Sequence, residues 1–151
     1  MGDKIDTGLV GVAGEYFVAG ELSRRGVIAS ITLRNTAGVD IIASKANGEK
    51  SISIQVKTNS EGKCAWILNK KAEDFATPKH YYVFVSLKGL GVRPDFYVVP
   101  SEVVADYVSS SHAEWLSKPK KNGEARKDTS MRKFEDPNGD YLEKWNLLEL
   151  Y

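Results

Sequence analysis

Four polar side chains stand in this sequence where a purely structural reading places them poorly: Glu15, Asp40, Gln55 and Lys57. Asp40 interrupts the apolar run Val39-Asp40-Ile41-Ile42. Gln55 and Lys57 belong to Ser51-Ile52-Ser53-Ile54-Gln55-Val56-Lys57-Thr58, whose period of two sets Ile52, Ile54 and Val56 on one strand face and Ser51, Ser53, Gln55 and Lys57 on the other. Glu15 falls at the centre of the apolar side of a helix expected over 8–25, with residues placed at about 100° each. A carboxylate aimed inward needs a partner, because an unpaired buried charge is expensive. Together these residue types suit phosphodiester hydrolysis assisted by Mg²⁺, a hard cation that takes oxygen ligands and keeps several waters, so that one or two carboxylates and a substrate phosphate suffice. Asp40 is the candidate principal carboxylate, the Gln55 amide and the Val56 carbonyl are candidate neutral oxygens, and Glu15 adds a second charge. Lys57, on the same face as Gln55, would orient or deprotonate the attacking water and offset charge on the transition state.

Each position also has a plainer role open to it. Asp40 could cap the turn after Gly38 or pair with Arg34, Gln55 could be an exposed strand residue, and Lys57 could be solvated at a strand end. Glu15 resists such a role most, since it would leave a charge amid an apolar helix face. The conjunction carries the weight. The fifteen positions from Asp40 to Gln55 correspond to one strand, one hairpin turn and most of the returning strand.

The elements that must hold these groups are legible in outline. The helix over 8–25 turns Val12, Val18, Ala19 and Leu22 inward with Gly8 and Gly11, leaves Phe17 on the far side, and ends at Gly26, a favourable C-cap residue. A strand over 27–33, a turn over 34–38 and a strand over 39–44 follow. Ala46-Asn47-Gly48-Glu49 then supplies an Asn-Gly hairpin turn into the strand over 51–58. Strands are expected over 81–87 and 96–99, a helix over 101–107 with Ser101 as N-cap, and a short helix over 112–116. Residues 141–150 fit helix or strand equally. This order indicates an α/β or α+β layer fold.

Composition bounds the alternatives. At 151 residues the chain is expected to form one domain, 1–151. The single thiol, Cys64, forbids an intramolecular disulfide and reads as a small hydrophobe beside Trp66. The acidic start carries no secretory apolar region, and no apolar run approaches the roughly 18 residues of a membrane span, so a cytoplasmic protein without membrane partners is expected. His80 and His112 lack companions at zinc-ligand spacing, and a P-loop is excluded by the absent Gly-Lys-Ser/Thr ending. Trp66, Trp115 and Trp145 read as core or interface residues. The net charge of +1 conceals a neutral stretch over 1–117, a +5 stretch over 118–133 and a −4 tail. The basic stretch reads as a loop in which Lys118, Lys120, Lys121, Arg126, Lys127 and Arg132 could contact nucleic-acid phosphates, or which the acidic tail beside it could answer.

The arrangement of Gly14-Glu15 on a first helix, Gly38-Val39-Asp40-Ile41-Ile42 on a strand, and a hairpin leading to Ile54-Gln55-Val56-Lys57-Thr58 resembles the PD-(D/E)XK, or restriction-endonuclease-like, nuclease superfamily. It is most similar to the small Holliday-junction-resolvase and homing-endonuclease branches. The resemblance implies a central mixed sheet of about four to five strands flanked by helices, with Mg²⁺-dependent cleavage of DNA, Mn²⁺ being an alternative ion. It matches Asp40 to the metal aspartate, Gln55 to the (D/E) position, Lys57 to the catalytic lysine and Glu15 to the helix carboxylate. Val39 stands where the motif has proline, and Gln55 replaces an acid, which removes one negative charge from the metal site. The resemblance spans about 8–99, the nuclease-like core, and is silent about the extension over 100–151. Cutting both strands of a duplex calls for two sites, so a symmetric homo-oligomer is expected. The competing readings are a non-catalytic module on the same fold that binds nucleic acid or protein, and an unrelated α+β interaction protein.

Overall fold

The structure, a computed structural model, describes residues 3–33 and 38–151. Except for Gly38, the turn expected over 34–38 lies outside the described residues, and so does Arg34, the suggested partner of Asp40. The first helix, α1 (Thr7–Arg24), starts at Asp6, whose side chain accepts hydrogen bonds from the Gly8 and Leu9 amides. Five strands make the main sheet: β1 (Val27–Ile31), β2 (Ile41–Lys45), β3 (Ser51–Asn59), β5 (His80–Ser86) and β6 (Asp95–Pro100), in the order β1-β2-β3-β5-β6. Only β3 and β5 run parallel; the other neighbours are antiparallel, which makes the sheet mixed. Between β3 and β5 the chain leaves the sheet as β4 (Ala65–Asn69) and a 3-10 turn at Lys70–Glu73. Helix α2 (Ser101–Ser117), strand β7 (Met131–Glu135) and a 3-10 turn at Trp145–Leu148 complete the chain.

Strict alternation along β5 divides the interior in two. Tyr81, Val83 and Val85 join Val18, Leu22, Ile41, Ile54 and Trp145 in one core, while Tyr82 and Phe84 join Trp66, Val99, Val104, Val108 and Phe134 in the other. The sheet is therefore the middle of three layers, with α1 and the C-terminal turn on one face and α2 with the β4–β7 ribbon on the other. Trp66 anchors the second core: its indole N–H donates to the Val85 carbonyl at 2.9 Å, and its ring meets Tyr97 edge-on. Cys64 packs at the border of this core as a free thiol.

Several expectations need correction. The expected loop over 118–133 ends at β7, because Arg132 and Phe134 point into the second layer and pair β7 antiparallel with β4. The helices expected over 101–107 and 112–116 are the single helix α2, and Pro100 occupies its N-cap position. Ser101, one place further on, instead donates to the Thr77 carbonyl and accepts from the Thr77 amide. The strand expected over 39–44 begins only at Ile41, leaving Asp40 just before it. The acidic tail turns mostly to the body: Glu143 pairs with Arg25 and Arg93, and Glu149 with Lys50. Only Lys133 of the basic stretch finds a tail carboxylate, that of Glu135 at 3.0 Å.

Candidate active site

Helix α1 lies on the sheet along Val10, Gly14, Val18 and Leu22, a stripe of four-residue steps. Glu15 is therefore turned to the flank of the buried face rather than to its centre, and it is half-buried. Its position depends on Gly14. A Cβ there would come within 1.8 Å of the Thr58 hydroxyl oxygen, so only glycine lets the helix descend onto β3 at this point. The descent brings Glu15 to the cavity that Asp40 lines from just before β2. Both line this cavity of about 230 Å³ together with Thr7, Gly8, Gly11, Val12 and Thr32.

Asp40 sits where β2 and β3 part. Its amide still donates to the Ile54 carbonyl at 2.9 Å, but the next rung is made by its side chain: the Val56 amide donates to Asp40 Oδ2 at 2.7 Å. From the β1 side, the Thr32 amide donates to the Asp40 carbonyl and the Thr32 hydroxyl to the Val39 carbonyl, at 2.9 and 2.6 Å. Gly38 precedes the pair with φ of +71° against the Phe75 ring, a backbone region that favours glycine. The carboxylate thus terminates the ladder as an acceptor with Oδ1 accepting no hydrogen bond among the described residues.

The β2–β3 register aligns Ile41 with Ile54, and one further step sets Asp40 opposite Gln55. Gln55 and Lys57 leave β3 on the face away from α1, half-buried, and line a cavity of about 310 Å³ with Leu68, Asn69, Lys71, Phe75 and Tyr82. Glu15 and the Gln55–Lys57 pair therefore reach the splayed strand end from opposite faces, and Asp40, bonded to the residue between Gln55 and Lys57, joins the two. Val56 contributes its amide here, while its side chain is in the α1-side core. Among the described residues Lys57 makes no ion pair. Burial pushes the Tyr82 hydroxyl up to about 12, so it stays neutral and a donor near neutral pH.

Lys71 was not among the residues singled out from sequence. It reaches the Gln55–Lys57 cavity because β4 and its 3-10 turn fold back beside β3, and nothing local in Asn69-Lys70-Lys71 reveals that. A second group that sequence reasoning passed over is the cluster at the far end of α1. Buried Glu21 meets Arg25 at 3.0 Å and Arg93 at 3.1 Å, and Arg93 also pairs with Glu143. Burial alone would raise the Glu21 pKa, but the hydrogen bonds and charges of Arg25 and Arg93 outweigh it and hold the carboxyl below its usual range.

The basic stretch divides. Lys118 pairs with Glu114 at 2.9 Å, and Lys120 lies 3.9 Å from Glu124. Arg126 stacks over the Trp115 ring at 4.8 Å and donates to the Lys118 carbonyl. Lys121 and Lys127 are exposed without an ion pair among the described residues. Arg132 leaves the phosphate-facing set altogether: it is 4% exposed and bound to Glu73 at 2.6 Å and to the Thr129 and Met131 carbonyls.

Among the described residues, the carboxylates, amide and carbonyl gathered at the strand end offer oxygens, which suits a hard cation. Among the described residues no three His, Cys, Asp or Glu side chains gather as a metal cluster. The donor set, Glu15 and Asp40 with the Gln55 amide and the Val56 carbonyl, fits an ion that retains water and takes oxygen from its substrate.

No protein-family sequence profile matches the chain, and no curated protein matches it by sequence. In three dimensions it is similar to a bacterial homing endonuclease, at 16% identity and a TM-score of 0.57, over 97% of this chain and 94% of the other. A Holliday junction resolvase from the archaeal hyperthermophile Archaeoglobus fulgidus overlaps more loosely, at 15% identity and a TM-score of 0.41, over 79% of this chain and 85% of that one. The likeness to the homing endonuclease runs through the extension over 100–151 as well as the motif-bearing part. With its five-stranded mixed sheet and flanking helices, the chain has the restriction-endonuclease-like fold that its PD-(D/E)XK-like residues imply.

Proposed function

We propose that this protein is a metal-dependent endonuclease that hydrolyses DNA phosphodiester bonds at the splayed end of β2 and β3. One observation carries the reading: the Asp40 carboxylate is bonded to the amide between Gln55 and Lys57 and shares a cavity with Glu15. The likeness in fold to a homing endonuclease supports it. Glu15, Asp40, the Gln55 amide and the Val56 carbonyl would hold Mg²⁺ or Mn²⁺. When bound, the ion would supply charge neutralisation at the phosphate and a more acidic water.

The chain's own residues do the rest. Asp40 is fixed in orientation by the Val56 amide, so its second oxygen is presented without reorganisation. Gln55 contributes an oxygen without charge, which makes the site less anionic than one built on three acids and eases the approach of a polyanion. Lys57, half-buried and without an ion pair among the described residues, is a fixed positive charge toward the non-bridging phosphate oxygens and a donor that orients the attacking water. Lys118, Lys120, Lys121, Arg126 and Lys127 add contacts to the DNA backbone that position it without reading sequence. A symmetric homodimer would supply the second site that a duplex requires. A cytoplasmic location fits the expected DNA partner, and no helix among the described residues is long and apolar enough to cross a membrane.

The test is incubation with supercoiled, linear and branched DNA and Mg²⁺ or Mn²⁺. Cleavage that is lost in Asp40→Ala and Lys57→Ala supports the proposal. Cleavage that survives both misplaces the site, and binding without cleavage on any substrate favours the non-catalytic module that Gln55 leaves open.

A further inference from the structure

The outward side of α1 carries an apolar stripe that the chain's own fold leaves uncovered. Leu9 is 62% exposed and Tyr16 66%. With Ala13 and Gly20 they recur at steps of four, three and four, the spacing of helices that meet at a shallow angle. Large and small residues alternate along this line: Leu, Ala, Tyr, Gly. Tyr16, Ala13 and Gly20, with exposed Phe17, also form one wall of a groove of about 720 Å³ that runs to Arg93 and Phe96. Among the described residues no contact within the monomer requires glycine at position 20. A Cβ there would meet nothing within 4 Å, and its φ is not left-handed, in contrast to the close contact that requires Gly14.

We infer that this face packs against α1 of a second copy, antiparallel, about a two-fold axis midway between Ala13 and Tyr16. In that register Leu9 covers the partner's Gly20 and Tyr16 lies against the partner's Ala13, so each large side chain meets a small one and each contact occurs twice. The helix ends choose the direction. Asp3 and Asp6, with Lys4 between them, precede α1, and Arg24, 3.7 Å from Glu21 of its own helix but with its side chain 71% exposed, closes it. An antiparallel pair sets Arg24 beside the partner's acids, whereas a parallel pair would place acid on acid and arginine on arginine. The axis is perpendicular to both helices, so each flank of one helix lies on the same side as that flank of the other. The cavities of Glu15 and Asp40, which open on one flank of α1, then face the same side of the dimer. That last consequence rests on the proposed nuclease reading; the interface does not.

The experiment uses the full chain. Sedimentation velocity should give twice the monomer mass, and Tyr16→Glu or Gly20→Arg should give the monomer with unchanged circular dichroism. In a Cys64→Ser background, mixing Leu9→Cys with Gly20→Cys should yield a two-chain disulfide under mild oxidation, while neither variant alone does. Because Gly20 is open to solvent, Gly20→Cys keeps the test alive should a charged variant unfold. A monomer at all concentrations, a dimer indifferent to both charged variants, or cross-linking within a single variant overturns the inference. Dimer without DNA cleavage upholds the interface and removes only the catalytic reading. Linearisation of plasmid lost in Tyr16→Glu, with nicking retained, upholds both.

Discussion

The contact between Gly14 and Thr58 should control both the stability of the fold and the position of Glu15. Replacing Gly14 with Ala demands a shift, since the new methyl would lie 1.8 Å from Thr58 Oγ1 and 2.9 Å from its Cβ. Overpacking of this kind costs about 1–3 kcal/mol, while the gain in helix propensity from Gly to Ala returns up to about 1 kcal/mol. The net loss, up to about 2 kcal/mol, corresponds to a fall in Tm of up to about 8 °C for a chain of this size. Gly20→Ala, where the added Cβ meets nothing within the single chain, should move in the opposite direction by about 1 kcal/mol at concentrations low enough to keep the chain monomeric. Among the described residues the Thr58 hydroxyl, which is buried, has no hydrogen-bond partner. Removing it in Gly14→Ala/Thr58→Ala should therefore return part of the loss, and a double-mutant cycle should give a coupling of about 1 kcal/mol or more. Urea and thermal unfolding of the four combinations measure it. A Gly14→Ala protein as stable as Gly20→Ala, or additive double substitution, would refute the claim that this contact sets the helix height.

Other outcomes follow from single groups. Gly11→Ala places a methyl at the rim of the Glu15–Asp40 cavity and should lower DNA cleavage tenfold or more without loss of stability, as plasmid nicking and thermal unfolding will show. Arg132→Ala leaves Glu73 without its buried partner and should cost about 3 kcal/mol in urea unfolding, with little change in the salt dependence of DNA binding. Gln55→Glu restores a carboxylate opposite Asp40 and should tighten divalent-ion binding in calorimetry; unchanged affinity would exclude Gln55 from the ligand set. Burial lowers the pKa of His80 to about 4, against 6.5 when free. The unfolded chain then binds the proton that the folded one refuses, so stability is full above pH 6.5 and falls by roughly 3 kcal/mol as pH drops toward 4. His80→Gln should flatten the urea midpoint between pH 6.5 and 4.5.

Local patterns made α1, the β2–β3 hairpin, β5 and β6 legible, because each has a period or a turn signal of its own. What escaped the sequence is what only tertiary contact decides. The inward side of α1 was drawn toward Val12 and Ala19, since a glycine adds no apolar weight; the true seam includes Gly14, and that displaces Glu15 to the flank. The helices expected over 101–107 and 112–116 left 108–111 between them, yet Val104 and Val108 bury the helix and it runs through. Strand β7 was hidden by charge, Arg132 being matched by Glu73 from another part of the chain. For the candidate site, the placement of Asp40, Gln55 and Lys57 at one end of the β2–β3 hairpin was legible from type and spacing, whereas the approach of Glu15 and Gln55 from opposite sheet faces depends on the splay of two strands. Lys71 depended on the path of β4.

The ribbon of β4 and β7 ties the middle of the chain to its end. Ala65 pairs with Glu135, seventy positions later, and Trp66 with Phe134. Closing so long a loop is entropically slow, and such non-local pairing lowers folding rates. During synthesis Trp66, Leu68 and the outer faces of Tyr82 and Phe84 must wait, incompletely covered, until β7 emerges. The chain is thus most prone to aggregate before β7 has been made. A truncation that removes 131–151 should expose apolar surface on both faces of the sheet, since Phe134 belongs to one core and Trp145 and Leu148 to the other.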